Sequence, residues 1–434
     1  MTTYARCLPL AVVIAACSPM QPAPVSPPLP NQTASVAAPI AAPLPPAPAD
    51  DAMPLDPVRL AYTPSELRPS GATLRHALVS TVPLVHLRIV FPTGWRADGP
   101  QPGISALTAE TLVEGAIGPD APTGRTHGIE RVTDLSAQVT PNATIYSATV
   151  LRHDLDETVE HLQKMIHIPG FRASAFQGAQ GTVVRQAAGT QGAAAEEAAL
   201  FDLPAPPPTE IERSVSRLEP WHCRAFHKAS YRSDGAVVVW VGDVTADRAR
   251  ALTDRLFAGW KPSKATSKAE PGPLGPSKGA AGAPSTDQRV KVSLLARGPS
   301  LEHEDWPALW VVAKALGSEC SPLPWNTVPT AFRVCKTLPA LQAEAWMSET
   351  RKRLDDMASQ GLAPSVLETA KRGIVDAESQ RLSDPEAIAD TLARWDAPLI
   401  DGVGDRLRPV TDVREAVSRH LRPEEVRAVV TAVE

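Results

Sequence analysis

Few side chains in this sequence are candidates for catalysis or metal binding. His222 and His227, with Cys223 between them, are side chains of the kind that bind soft metal ions. Their i, i+5 spacing places the two imidazoles roughly 140° apart on a helix, which favours ordinary core and surface positions over a shared metal site. Glu110 and Glu114 are spaced i, i+4 and share one helical face, but two like charges alone do not make an active site.

The remaining histidines give no better candidate. His153, His161 and His167 flank one predicted helix at spacings that do not share a face. His303, in the segment LEHEDW, is typical of a solvated helix N-terminus with favourable acidic charge. The sequence contains no G-x-S-x-G segment for a serine nucleophile and no Gly-rich phosphate loop. These residues therefore predict neither a nucleophilic hydrolase nor a nucleotide-binding site.

Composition excludes some partners. The 434 residues include 43 Lys and Arg against 48 Asp and Glu, a formal net charge of −5. This balance lacks the basic footprint of a nucleic-acid-binding protein and the polybasic patch of a membrane-surface protein. The length allows two domains, because a single core rarely grows past about 250–300 residues.

The N-terminus has the pattern of a bacterial export signal. The apolar run from Leu8 to Ala16 is too short to span a bilayer. The residues IAAC, ending at Cys17, resemble the lipobox, in which the cysteine is acylated and becomes the first mature residue. The alternative is ordinary Ala-x-Ala cleavage, which leaves a secreted protein without lipid. The favoured interpretation predicts residues 1–16 as a signal peptide and a lipid-anchored protein of the bacterial envelope, facing the periplasm. Ser18, where some bacteria use Asp as a sorting signal, favours the outer membrane.

Two Pro-rich stretches divide the rest of the chain. Residues 17–57 carry hardly any charged or aromatic side chains and cannot bury enough surface to fold, so they predict a disordered, semi-extended tether. Residues 261–287 have the composition of a linker between lobes. The sequence thus predicts an N-terminal lobe over 58–260 and a shortened C-terminal lobe over 288–434.

Three cysteines remain for disulfide formation, because Cys7 would leave with the signal and Cys17 would carry the lipid. Cys223, Cys320 and Cys335 cannot all pair. Their closeness in sequence makes Cys320 and Cys335 the favoured bridge, and two free buried thiols are the open alternative.

The elements that would position these residues are strands and helices in mixed order. PLVHLRIVF (83–91) and ATIYSATVL (143–151) predict strands, and the almost wholly apolar GAVVVWVGDV (235–244) predicts a strand at the centre of its sheet. ISALTAETLVEGA (104–116) predicts a helix. In the second lobe a strand and a helix precede an irregular, Pro-broken section, and helices follow to the C-terminus, the last over 411–433. Without strict βαβ alternation, the pattern predicts α+β layers in two lobes.

Several of these segments resemble one family, the pitrilysin or insulinase-type zinc peptidases, in its processing-peptidase branch. The matching segments include residues 83–116, 150–171 and YRSDGAVVVWVGDV (231–244), which is similar to the family's strand and glycine turn near the end of the first lobe. The likeness covers most of residues 70–430. It implies two similar α/β lobes, each a mostly antiparallel sheet covered by helices.

The family's signature is H-x-x-E-H, in which two histidines bind zinc and the glutamate is the general base for water. Laid on the family, the first His falls at Ala106, the base at Ala109 and the second His at Glu110. The family's third ligand, a Glu on another helix, falls at Gln186 or Ala187. Since none of these positions carries the required side chain, the resemblance implies an inactive homologue with no catalytic residues, no metal and no other cofactor.

The family's second-lobe Arg and Tyr, which complete the substrate cleft in active assemblies, have no recognisable counterpart between residues 316 and 346; Arg333 is a candidate for that arginine. The resemblance implies a non-catalytic subunit that pairs with an active zinc peptidase of the same family and helps form its peptide-binding chamber. Two alternatives stay open. One is an active zinc endopeptidase whose metal site is relocated or completed by a partner, and the other is a stand-alone peptide-binding scaffold of the envelope.

Overall fold

The structure is a computed structural model, and it describes most of the two predicted lobes. The described residues are 62–117, 132–189, 196, 199–200, 206–260, 289–299, 302–320, 331–394, 402–422 and 425–432. The predicted signal peptide, tether and linker lie outside these residues, and so does Cys17. None of the described helices is long and apolar enough to cross a membrane.

The first sheet has six strands. They are β1 (Tyr62–Leu67), β2 (Thr73–Leu78), β3 (Leu84–Phe91), β4 (Val132–Val139), β5 (Thr144–Leu151) and β6 (Val237–Gly242). Their spatial order is β1-β2-β6-β3-β5-β4. Every neighbouring pair is antiparallel except β2 and β6, which run parallel. This mostly antiparallel sheet, covered by helices, confirms the predicted α+β class.

The side-chain pattern of β3 and β6 explains why this sheet forms. Val85, Leu87 and Ile89 alternate along β3 and lie in the main core. The residues between them, His86 and Arg88, face the other side of the sheet and are also buried. β6 is buried along almost its whole length and lies between β2 and β3, which confirms the central position predicted from its apolar sequence.

Six described helices accompany the first sheet. They are α1 (Ile104–Ile117), α2 (Leu155–His167), α3 (Ala173–Gly189), α4 (Pro208–Val215), α5 (Pro220–Ser230) and α6 (Ala246–Leu256). All six contribute buried side chains to one hydrophobic core, shared with the inward residues of β3. Within this core α1 packs directly against α3. These two helices carry the positions aligned with the family's metal-binding residues.

The second sheet consists, in the described residues, of β7 (Arg289–Arg297), β8 (Ala331–Pro339) and β9 (Arg427–Ala432), with β7 in the middle and both pairings antiparallel. Two of these strands correct the sequence analysis. β8 lies in the section predicted as irregular, and β9 lies in the segment predicted as a helix over 411–433. That helix stops at His420, because Pro423 cannot continue it and the Val-rich residues beyond it pair with β7.

In the described residues, six further helices follow β7. They are α7 (Trp306–Ala315), α8 (Ala343–Gln360), α9 (Pro364–Arg381), α10 (Pro385–Arg394), α11 (Val403–Leu407) and α12 (Arg414–His420). Buried residues of α7, α8, α9, α11 and α12 form a second core with β7 and β8. The exception is α10.

α10 packs on the first sheet, on the face opposite the main core. Its Ile388, Ala389 and Leu392 are almost fully buried in a cluster with Val90 of β3 and Val239 of β6. A helix from the predicted C-terminal lobe therefore covers the sheet of the N-terminal lobe. The boundary predicted between the lobes from the sequence does not separate the elements that pack together.

Polar contacts fasten α10 to the same face. The guanidinium of Arg88, 2% exposed, donates from Nε to Asp390 Oδ1 (2.7 Å) and from Nη2 to Glu386 Oε1 (3.3 Å). Arg75 donates from Nη1 to the carbonyl oxygen of Leu392 (2.6 Å). Both arginines lie on strands of the first sheet, so the helix is held there by directional bonds as well as by apolar packing.

Candidate functional site

The start of α1 is fixed by Asp98. Its carboxylate accepts hydrogen bonds from the backbone amides of Gly103 (2.6 Å) and Ser105 (3.1 Å), donors that a helix leaves without intrahelical partners at its N-terminus. Asp98 is almost fully buried, and this burial raises its pKa to about 6. Gly103 has φ 88°, which only glycine adopts without strain. These contacts set the residue at which α1 begins.

Ala106, Ala109 and Glu110 lie on one face of α1, as their spacing requires. Ala106 is half-buried, and Ala109 and Glu110 are buried. Two methyl groups can neither coordinate a metal nor move a proton, and Glu110 offers only a carboxylate. A catalytic zinc needs three protein ligands and an open position. These residues do not fit a zinc ion, and in the described part of the chain Glu110 belongs to no group of three His, Cys, Asp or Glu side chains that could hold a metal.

Glu110 instead contacts the other position derived from the family. Gln186 of α3 donates from Nε2 to Glu110 Oε1 over 2.8 Å. Burial raises the pKa of Glu110, and the hydrogen bond from Gln186 opposes this rise. The negative charge of Glu114 raises the pKa further. The structure therefore brings together two of the positions aligned with metal ligands, and joins them by a direct side-chain hydrogen bond. Ala187, the alternative third position, is buried.

The neighbourhood of Glu110 lacks an activated nucleophile among the described residues. The hydroxyls of Tyr146 and Tyr231 bond to each other over 2.8 Å. Burial raises the pKa of both tyrosines, and the charge of Glu110 adds to the shift at Tyr146. Cys223 is fully buried, and burial raises the pKa of its thiol to about 11, so it is a neutral thiol at physiological pH and a poor nucleophile.

Three histidines of the first lobe form hydrogen bonds with the backbone of their own chain. His227 donates from Nε2 to the carbonyl oxygen of Ile166 (2.9 Å), and burial lowers its pKa to about 4. His167 donates likewise to the carbonyl oxygen of Leu256 (3.0 Å). His222 accepts from the backbone amide of Glu219 at the start of α5 (3.0 Å). The structure does not bring His222 and His227 together with Cys223 around a common point.

Arg333 of β8 is engaged by a carboxylate of its own chain. It donates from Nη1 to Glu196 Oε2 (3.0 Å), and Lys291 Nζ and Ser293 Oγ both contact Glu196 Oε1, at 3.0 and 2.5 Å. Burial alone would raise the pKa of Glu196, but the two cations and the serine hold it below its ordinary value. As a candidate substrate arginine, Arg333 would have to exchange Glu196 for a substrate group.

Cys320 and Cys335 are joined as a disulfide, with their Cα atoms 5.5 Å apart. Cys335 lies in β8 and is buried. Ser318 adds to the link, since its hydroxyl accepts from the backbone amides of both cysteines, at 3.3 and 3.2 Å. The bridge ties the segment after α7 to the sheet.

One cluster was missed by the sequence analysis. His303 and Asp305, before and at the start of α7, meet His420, the last residue of α12, with their ligand atoms all within 4.8 Å of one another. Taken alone, His303 has only the signal of a solvated helix N-terminus. No local spacing links it to a histidine more than a hundred residues away, and only the packing of α12 beside α7 brings them together.

Comparison with known sequences gives one family match and no relative among curated proteins. The family model described as "Peptidase M16 inactive domain" matches residues 222–328, from α5 across the predicted linker to the region after α7. A search of the curated proteins finds no significant match.

Solved structures with the same fold cover most of the chain. They include a peptidase M16 inactive domain from Pseudomonas fluorescens (18% identity, 86% of this chain and 97% of that chain, TM-score 0.67). A chain of complex III2 from Candida albicans shares the fold at 14% identity (86% and 95% covered, TM-score 0.65). The first half of the periplasmic protease PqqL from Escherichia coli does so at 12% identity (86% and 92% covered, TM-score 0.64). At these identities the likeness establishes the fold.

Proposed function

We propose that the chain is a non-catalytic member of the insulinase (M16) family, whose inactive-domain model matches residues 222–328. We infer that it is the inactive subunit of a pair, working beside an active zinc peptidase of the same family. In this role it forms part of the wall of the partner's peptide-binding chamber and offers a docking surface, while the partner supplies the zinc and the general base.

The hydrogen bond between Gln186 and Glu110 is the observation that carries this proposal. It joins α1 and α3 at the position where the family's metal would be held. The helices, the sheet beneath them and the capping of α1 by Asp98 are all present. A chain built this way keeps the shape of a peptidase lobe and has an amide and a carboxylate in place of its metal ligands.

The predicted lipid anchor supports a place in the envelope. The lipobox-like residues before Cys17 predict acylation, and one structure with this fold belongs to a protease described as periplasmic. The fold also occurs in a chain of complex III2, which is consistent with a role inside an assembly. We propose an anchor at the periplasmic face of the outer membrane, with the 17–57 segment as tether.

Co-purification tests the pairing. The chain is co-expressed with an active insulinase-family peptidase of the same bacterium that carries an intact H-x-x-E-H, and the mixture is analysed by size-exclusion chromatography with light scattering. We expect a one-to-one complex in which the partner keeps its catalytic zinc ion, and cleavage of unstructured peptides only when both chains are present. If the two chains elute separately as monomers, the pairing proposal fails.

The variant Glu110→Gln separates an inactive subunit from a partner-completed metal site. In the inactive subunit Glu110 binds no metal, so the complex with this variant should keep its zinc content and its peptidase rate. Loss of zinc from the variant complex would instead establish that Glu110 is a ligand. Cys17→Ala serves as the matched control for location, because it should release the protein from membranes without changing either quantity.

A further inference from the structure

We propose that His303, Asp305 and His420 bind a divalent transition-metal ion of the zinc, cobalt or nickel class, in the second lobe of the protein. This site shares no residue with α1 or α3, where the family's zinc positions lie. It is therefore independent of the proposed pairing.

Two distances between ligand atoms in the cluster lie on either side of the separation expected around a bound ion. His420 Nε2 lies 2.8 Å from Asp305 Oδ2, and His303 Nδ1 lies 3.7 Å from the same oxygen. A tetrahedral ion with bonds of about 2.0–2.1 Å separates its ligand atoms by roughly 3.4 Å, which falls between these two values. The two rings stand edge to face, with centroids 5.6 Å apart. All three ligand atoms lie within 4.8 Å of one another, so side-chain adjustments on the order of 1 Å would place them around one ion.

The carboxylate of Asp305 is directed at this cluster although it occupies a helix N-cap. An aspartate at that position usually accepts from the first amides of the helix, but Asp305 makes no such bond to α7. The backbone amide of Asp305 donates to His303 Nδ1 over 3.1 Å, so a metal ion bound to that nitrogen has to displace this hydrogen bond. The side chain is 14% exposed.

The surrounding charges include one competitor for the metal. Arg419 donates from Nη1 to Asp305 Oδ2 over 2.5 Å, and it also pairs with Glu415 on the same helix. Glu302 and Glu304 flank His303 and are exposed. Because Arg419 has a second carboxylate to bind, an incoming cation can displace it from Asp305. His420 is the last residue of α12, where the helix dipole favours positive charge.

The donor set defines the class of ion. Two imidazole nitrogens and one carboxylate oxygen suit zinc, cobalt and nickel better than magnesium or calcium, which prefer oxygen ligands alone. Three protein ligands leave at least one coordination position for water or for a group from outside the chain.

Metal titration of the full-length chain, purified without a polyhistidine tag and stripped with chelator, tests this site. We expect one Zn²⁺ per chain by calorimetry, and visible absorption bands of tetrahedral cobalt when Co²⁺ is used instead. His420→Ala and Asp305→Asn should each weaken binding more than tenfold, whereas His153→Ala, at an exposed histidine elsewhere, should bind as the unaltered chain does.

Arg419→Met provides a test that a purely structural cluster would not pass. Removing the competing guanidinium should tighten metal binding several-fold, although it deletes an ion pair. Circular dichroism of each variant checks that it folds. Substoichiometric binding, or equal binding by the unaltered chain and the folded His420→Ala variant, would mean adventitious metal only and overturns the proposal.

Discussion

Removing Arg88 should destabilise the protein less than removing the two carboxylates that pair with it, although either change breaks the same ion pairs. The perturbations are Arg88→Met on one side and the double variant Glu386→Ala, Asp390→Ala on the other. The reason is the difference in burial across the contact. Arg88 is 2% exposed, whereas Asp390 and Glu386 are 52% and 60% exposed.

The magnitudes follow from which charge is left behind. In Arg88→Met the carboxylates return to water and the methionine fills the sheet–helix interface. The loss of two charge-assisted hydrogen bonds should therefore lower the free energy of unfolding by only about 1–2 kcal/mol. In the carboxylate variant a guanidinium stays buried without its anions, and such uncompensated charges cost about 3–5 kcal/mol. Combining all three changes should bring the protein back to within about 1 kcal/mol of Arg88→Met.

Equilibrium unfolding in urea, followed by tryptophan fluorescence, measures these differences. Trp240, in β6 of the same sheet, is fully buried and reports on this region. Arg248→Ala is the matched control, because its pair with Asp156 is about half exposed on both sides and should change stability by less than about 0.5 kcal/mol. If Arg88→Met unfolds at a lower urea concentration than the carboxylate variant, the burial of Arg88 does not set the cost of breaking these ion pairs.

Three further changes test other parts of the structure. Burial raises the pKa of Asp98 to about 6 from an ordinary 3.8, so the folded state binds this proton more tightly than the unfolded state does. The stability that this proton contributes should therefore fall by about 2 kcal/mol as the pH rises from 4 to 7, and the difference in unfolding free energy between the unaltered chain and Asp98→Asn across this range measures it. Gly242→Ala should cost more than about 2 kcal/mol in urea unfolding, because φ is 134° and the new Cβ would clash with the carbonyl oxygen of Leu84. Gly99→Ala, with positive φ but open space, is the control and should cost about 1 kcal/mol. Replacing Cys320 and Cys335 by serine should lower the free energy of unfolding by about 3 kcal/mol, the value for a loop of about 15 residues, and a reductant should lower the unfolding midpoint of the unaltered chain but leave the serine variant unchanged.

Local pattern was enough to predict the centre of the first sheet and the helix α1. The alternation of β3 and the β-branched, apolar run of β6 both favour strands, and the near absence of polar residues in β6 favours burial on both faces. In the second lobe the same kind of reasoning fails. The segment that forms β9 is short and rich in both Val and Ala, so its period does not separate helix from strand, and its pairing with β7 joins residues far apart in the chain.

Long-range placement decided the rest. The apolar side of α10, with Ile388 and Leu392, shows that the helix is buried but does not say on which sheet. Likewise Glu110 and Gln186 could be aligned with a family from sequence, but only the packing of α1 on α3 shows that they bond to each other. The cluster at His420 depends on the same kind of information.

The position of α10 also makes the two halves of the chain dependent on each other. A chain cut between Trp260 and Arg289 would yield one fragment whose β-sheet has an uncovered apolar surface, and a second fragment carrying the helix that covers it. The two pieces should associate after separate synthesis, as in fragment complementation, and each alone should tend to aggregate. Proteolytic cleavage in this region would therefore leave the two fragments associated.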